Sequence, residues 1–421
     1  MEEKDRQQEE QTKVKPKKNF VFKQIQDFIF DRMELRYNIV KCCNEFRKRG
    51  KDNYDEFTDR YSASLLIELK EYSGIKFTKG DYELILNSKM IKDYDPYKEY
   101  FENLPMWNGE DKINELARYI KVEDAENYKF NIQLKKWLVR VVKCALDNSY
   151  LNKQMLVFVG ETQNTGKSTF CRWLCPMELK QYFSEESLRG KDESIQLTSN
   201  LFILYDEMAK LNLSGLEEVK ETLAKLSVKF RPPYARTEQT FYRRCSFMGN
   251  TNQTQFLTDD GGSVRFLCFL LKEIDFDYSV KIDINDIWSQ AFHLYKSGFN
   301  CEMTREEIEA QQQYNRQFYV TSTEHDLILE YIRPATQKDI NSSVTVVYQW
   351  QAGQILQFLQ EMNPTINLKQ VTLGKSLKFL KFERKKIKQN NISKYVYQLV
   401  LNKDSFIRED LKKCFLPKKI K

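Results

Sequence analysis

The sequence predicts an α/β protein. A phosphate-loop core of parallel strands flanked by helices is preceded by a small α-rich domain and followed by a winged-helix domain. Three stretches carry the prediction. The first is an apolar run, Met155 to Val159, feeding a loop that closes on Gly166-Lys167-Ser168-Thr169. The second is Leu201-Phe-Ile-Leu-Tyr205-Asp206-Glu207, an apolar strand ending in two carboxylates, with Asp206 39 residues after Lys167. The third, Cys245 to Asn252, is a strand that ends in the amide side chains of Asn250 and Asn252.

The loop after Met155–Val159 has the composition of a polyphosphate cradle. Glycine lets backbone N–H groups turn toward phosphate without an intervening Cβ, and a helix opening behind the loop adds the positive end of its dipole. Candidate nucleotide-binding residues are Gly160, Gln163, Asn164, Thr165, Gly166, Lys167, Ser168 and Thr169, with ATP as the expected cofactor. Lys167 would reach the β- and γ-phosphates, and Ser168 would give its hydroxyl to Mg²⁺. Five residues separate Gly160 from Gly166 where the common spacing is four. Either the loop carries one extra residue or Glu161 stands where glycine is usual.

Asp206 and Glu207 would emerge at the C-terminal edge of their strand, beside the loop in a doubly wound sheet. Asp206 then belongs to the Mg²⁺ shell with Ser168, and Glu207 orients or deprotonates the attacking water. An amide at the tip of the third strand can bridge that water and the γ-phosphate; Asn252 is the favoured residue and Asn250 the reserve. Arg265 begins another apolar strand, Phe266 to Leu271, after Gly261-Gly262. An arginine so placed can act on the transition-state charge of a neighbouring subunit.

The 421 residues leave room for several domains, and 41% hydrophobic, 13% aromatic and 30% charged residues describe a globular chain. No apolar run reaches membrane-spanning length and the N-terminus lacks a signal-peptide pattern, so the expectation is a cytoplasmic protein. Nine cysteines without regular spacing read as reduced thiols, and Cys171 and Cys175 on one helix face read as packing groups. Two histidines in the whole chain argue against a Ser-His hydrolase. The net charge of +7 is uneven: residues 361–421 hold 16 Lys or Arg against 5 Asp or Glu, leaving the remainder at −4. The nucleic-acid signal therefore concentrates at the C-terminus.

In order along the chain, residues 1–20 read as a mobile polar tail and 21–110 as the α-rich domain, with helices at Phe22–Met33, Ser62–Tyr72 and Tyr82–Met90. Tyr37 to Val40 could add a short strand, and Asp95 to Gly109 reads as a turn-rich connector. Residues 111–300 form the nucleotide-binding core, with an amphipathic helix at Phe130–Leu146 and another at Leu216–Phe230. Arg231-Pro-Pro-Tyr234-Ala-Arg236 follows, where two prolines exclude regular structure. Residues 320–403 read as helix, helix and β-hairpin, the order of a winged helix-turn-helix, and 404–421 as a basic tail. Lys375 and Lys378 on its second helix and Arg384, Lys385 and Lys386 on its hairpin are candidate DNA contacts. A solvated basic face on a packing domain is the competing explanation.

Taken together, Leu104-Pro-Met-Trp107-Asn-Gly109, Lys136-Trp137-Leu138-Val139, Gly166 to Phe170, Asp206-Glu207, Arg231-Pro-Pro-Tyr234, Asn252, Phe256-Leu257 and Arg265-Phe266 resemble the virulence-associated protein E family, relatives of superfamily 3 helicases. The resemblance covers roughly residues 95 to 270. It implies an AAA+-like P-loop NTPase working as a ring, expected to be a hexamer, on single-stranded or forked DNA during replication of a phage or mobile element. It implies that Arg265 completes a neighbour's site. Arg231, Tyr234 and Arg236 would belong to a hairpin gripping DNA, for which the two guanidinium groups and one ring suit phosphates and a base. Arg243 and Arg244 are open to DNA or to the subunit interface. Many relatives fuse a primase-polymerase domain; no acidic cluster of that kind precedes residue 110, so a separate primase or polymerase is the expected partner. Two other functions stay open: an ATP-switched replication initiator that binds an origin without unwinding, and a non-catalytic DNA-binding regulator.

Overall fold

A computed structural model describes residues 18–123, 127–185, 193–211, 213–232, 237–257, 263–389 and 392–402. The chain divides into two compact units, Met1–Thr254 with Val264–Tyr314, and Gln255–Ser263 with Asn315–Lys421.

The first unit begins with the helix Lys18–Arg32 and strands β1 (Met33–Asn38), β2 (Cys43–Lys48), β3 (Asp55–Glu56) and β4 (Lys92–Tyr94). These form a sheet in the order β3-β2-β1-β4, with helices Asp59–Tyr72 and Lys79–Leu86 inserted before β4. The region is therefore mixed rather than α-rich. Cys42 turns the β1–β2 connection with φ 54°, a left-handed residue closing a tight reversal. Neither is the stretch after Asp95 a simple connector: Pro96–Glu102 is a helix with proline at its first turn, and the Asp95 carboxylate accepts from the N–H groups of Tyr97 and Lys98.

The expected break near residue 110 is also missing, because side chains on either side of it are buried together. Asn38 donates to the Tyr182 hydroxyl at 2.7 Å, and Arg244 donates to both Asp95 oxygens at 3.0 and 2.8 Å. Arg244 and Arg243 are only 9% and 0% exposed, so neither faces DNA or a subunit interface. Arg243 donates to the Asn152 and Leu223 carbonyls instead.

The central sheet contains β5 (Ile120–Val122), β6 (Met155–Val159), β7 (Phe183–Ser184), β8 (Phe202–Tyr205), β11 (Ser246–Thr251) and β12 (Phe266–Ile274). Their order is β5-β12-β6-β11-β8-β7; the last five run parallel and β5 pairs antiparallel to β12. Every residue of β6, β8 and β11 is buried, the mark of a parallel sheet covered on both faces. The helices Asn127–Leu146 and Ile284–Lys296 supply Trp137 and Trp288, whose rings lie 6.1 and 5.9 Å from that of Phe202. Full burial of each such ring is worth roughly 2–3 kcal/mol.

The helix expected to run to Phe230 stops earlier. Leu213–Ala224 is helical, and Ser227–Phe230 is strand β9, paired antiparallel with β10 (Gln239–Tyr242). Valine and phenylalanine before the prolines favour the extended conformation.

The second unit has helices Thr323–Tyr331, Gln337–Ile340, Ala352–Met362 and Gln370–Phe379. Its sheet has β13 (Ile332–Pro334), β14 (Tyr348–Trp350), β15 (Arg384–Gln389) and β16 (Ile392–Leu401), all three others pairing with β16. Leu373 and Leu377 face its core while Val371, Lys375 and Lys378 are exposed. Residues 255–263 join this unit through Leu257, which bridges Tyr319; the Phe318 carbonyl accepts from both Phe256 and Leu257 N–H groups at 2.9 Å.

Candidate nucleotide site

The strand order brings the three predicted tips together at the C-terminal edge of the sheet. β11 lies between β6 and β8, so the loop after β6, the carboxylates after β8 and the amides of β11 become neighbours. They line an open cleft of about 400 Å³ containing residues 163–169, Asp206, Glu207, Asn250 and Asn252.

The loop has two left-handed positions, Asn164 at φ 60° and Gly166 at φ 86°. Asparagine tolerates that region and glycine adopts it freely. Gly166 then caps the helix Lys167–Trp173. Gly160 does not line the cleft. It lies behind Lys167, where a Cβ would stand 3.4 Å from Nζ and 3.5 Å from the Leu271 carbonyl oxygen.

Lys167 is 6% exposed and donates to the Thr162 carbonyl at 3.0 Å and to Thr165 Oγ1 at 2.9 Å. Burial lowers its ammonium below the ordinary lysine value, and the Asp206 charge opposes that shift. Ser168 Oγ donates to Asp206 Oδ1 at 3.0 Å. The Asn250 amide stands 3.2 Å from Ser168 Oγ in either orientation; turned one way it donates to Ser168 and, at 3.3 Å, to Asp206. Turned the other way it accepts from Ser168 and donates to the Gly249 carbonyl at 3.0 Å. Three oxygen-bearing side chains converging on one point fit a hard divalent cation such as Mg²⁺. Ser168 and Asp206 are the residues that would hold it.

The favoured amide, Asn252, lies further out. It lines the cleft, and its Oδ1 has no hydrogen-bond partner among the described residues. Glu207 is exposed, left-handed at φ 57°, and ion-paired with Lys210. Two cleft residues escaped the sequence reading. Thr251 is one; the other is Arg172, whose guanidinium makes a bidentate pair with Glu185 at 2.6 and 2.7 Å. An arginine five residues after the loop lysine was the available signal.

Arg265 is not in this cleft. Phe266 pairs with Met155, the first residue of β6, so Arg265 sits at the opposite edge of the sheet. Six residues of strand rise separate that level from Gly160, about 20 Å. Arg231 is exposed at the end of β9, whereas Tyr234 and Arg236 lie outside the described residues. In the second unit Arg384, Lys385 and Lys386 are exposed along β15, with Lys385 donating to Gln398 at 2.6 Å and Arg384 over the Tyr395 ring at 4.2 Å. Among the described residues no helix is long and apolar enough to cross a membrane, and no cluster of three His, Cys, Asp or Glu could hold a metal.

None of the curated proteins matches the sequence. Among solved structures, the apo structure of the NrS-1 C-terminal region (305–718) aligns with a TM-score of 0.49 and 11% identity, covering 91% of this chain and 99% of that one. An A-form apo structure of the same region aligns with a TM-score of 0.48 and 12% identity, over 90% and 98% of the two chains. The virulence-associated protein E-like domain matches residues 101–320, a span that contains the loop, the Asp206-Glu207 pair, Asn250, Asn252 and Arg265. With more than half its length in that match, the chain belongs to the virulence-associated protein E-like family.

Proposed function

We infer that this chain is an ATPase of the superfamily 3 type that moves on or unwinds DNA during replication of a phage or mobile element. The observation carrying the reading is the Ser168–Asp206–Asn250 cluster beside Lys167, at the C-terminal edge of a parallel sheet. Lys167 turns from Thr162 and Thr165 to the β- and γ-phosphates. Bound Mg²⁺ would neutralise phosphate charge. Asn252 offers its free Oδ1 to the attacking water, and Glu207, once released from Lys210, orients that water or takes its proton.

A finger role for Arg265 requires a second chain, because the residue lies at the far edge of its own sheet; the ring, with a hexamer the expected size, is what the family resemblance implies. Exposed Arg231 and, in the second unit, the exposed Lys375, Lys378, Arg384, Lys385 and Lys386 suit DNA phosphates. The helix, helix and hairpin order of the second unit supports a winged helix. A second reading, ATP used for assembly at an origin without unwinding, draws on the Glu207–Lys210 pair, which engages the general-base candidate.

The test is the ATPase rate with and without single-stranded DNA for wild type, Lys167→Ala and Glu207→Gln, followed by unwinding of a forked duplex. A DNA-stimulated rate lost in both variants, with unwinding by wild type, supports the motor. Nucleotide binding without turnover supports the assembly reading, and absence of nucleotide binding overturns both.

A further inference from the structure

Phe276 lies against the phosphate loop although nothing in the loop's sequence calls for an aromatic neighbour. Its ring packs so closely on Gly166 that a Cβ there would stand 2.5 Å from Cζ. Yet the side chain is 51% exposed, so one large apolar surface remains open beside a polar cleft.

The segment bearing it is held firmly on both sides. Asp275 N–H donates to the Tyr119 carbonyl at 2.8 Å, and Asp277 N–H donates to the Asp275 carboxylate at 3.0 Å. The Ser279 hydroxyl donates to the Phe276 carbonyl at 2.9 Å. Tyr278 is buried edge-on against Trp173 and Phe170, with centroids 4.8 and 5.4 Å apart, which ties the segment to the helix that follows the loop. Phe276 is thus an exposed ring on a fixed backbone, an arrangement that binds a planar partner at little ordering cost.

Sheet order says which part of a nucleotide meets it. Ser168, Asp206 and Asn250 define the γ-phosphate end, on the β11–β8 side of β6. A triphosphate with its terminus there directs its nucleoside toward the other neighbour of β6, which is β12, and Phe276 follows the last residue of β12 by two positions. Resting on the nucleotide-site reading above, we propose that Phe276 is the base platform of the site. The base of a nucleoside triphosphate stacks on its open face. Stacking carries no hydrogen-bond code, so the platform accepts any base, purines best through their larger area.

Calorimetric titration of wild type, Phe276→Leu and Phe276→Trp with ATP and with inorganic tripolyphosphate tests this. Leucine keeps apolar cover on Gly166 but has no π face, so Phe276→Leu loses about tenfold in ATP affinity and nothing in tripolyphosphate affinity, while Phe276→Trp retains both. Equal losses for the two ligands would make Phe276 a prop for the loop and overturn the proposal, as would unchanged ATP binding. If wild type binds neither ligand, the nucleotide-site reading itself fails and takes the platform with it; if wild type binds both and only the platform fails, the cleft reading stands.

Discussion

Ser168 Oγ donates to Asp206 Oδ1 across 3.0 Å, joining the first turn of the loop's helix to the end of β8. That bond links two sequence stretches 38 residues apart at the point where phosphate charge would be neutralised. Removing Lys167, which adds the only ammonium lining the cleft among the described residues, should cost hydrolysis about 10²-fold or more. A coupled phosphate-release assay on Lys167→Ala checks this; wild-type turnover would disprove the role.

Gly166→Ala should be doubly disruptive. Its φ of 86° costs an alanine about 1–2 kcal/mol, and the new methyl group meets the Phe276 ring. Chemical denaturation should report that loss, with nucleotide affinity falling alongside; unchanged affinity would mean that the loop does not cradle the ligand.

Arg265→Ala should keep nucleotide affinity while slowing hydrolysis by about 10³-fold, the usual worth of an arginine finger. Mixing Arg265→Ala chains with Lys167→Ala chains should restore part of the rate, since some mixed interfaces then have both an intact cleft and an intact finger. No recovery in a mixture shown to exchange subunits would refute the trans arrangement.

Arg244→Met leaves the Asp95 carboxylate facing a buried apolar group. Breaking a largely buried pair from one side costs about 3 kcal/mol, so the midpoint of urea unfolding should fall clearly. An unchanged midpoint would show that Arg244 and Asp95 are independent.

The second unit should lose stability on mild acidification. Burial pushes the His325 imidazole below its ordinary value of 6.5, with Asp326 opposing, and its ring packs on Phe379 at 5.3 Å. The folded form therefore binds fewer protons than the unfolded one. This contribution is intact above pH 6.5 and declines as pH falls toward the depressed folded value. Denaturation at pH 7.5 and 5.5 should show the difference in wild type and a smaller one in His325→Phe; equal differences would exclude His325 as the source.

The loop residues 163–169, Asp206, Glu207, Asn250 and Asn252 were legible as neighbours because each group follows or ends a mostly apolar run, and such runs in a parallel sheet finish at one edge. The sequence favours Asn252 over Asn250, yet Asn250 is the amide that meets Ser168, because that choice depends on the register of β11 against β6. The spacing of Arg172 from Lys167 was the signal available for it, but its pairing with Glu185 arises only through folding. The N-terminal sheet escaped because Arg36, Glu45 and Arg47 interrupt its strands with charge. Arg36 is accommodated between the rings of Tyr54 and Tyr94, at 3.8 and 3.4 Å, a contact that no periodicity announces. The burial of Arg243 and Arg244 was hidden likewise, because a pair of arginines at a strand start looks like a binding surface until carbonyl and carboxylate acceptors are found around it.

Residues 255–263 leave the first unit just after Asn252 and return to it just before Arg265. The chain therefore passes from one unit to the other at three points, and no single cut can release the second unit whole. A fragment starting at Asn315 would lack Phe256 and Leu257, and the Phe318 carbonyl would lose both of its N–H donors. The excursion also makes the second unit a covalent handle on two strands at once. It leaves from the tip of β11, beside Asn252, and returns at the start of β12, beside Arg265.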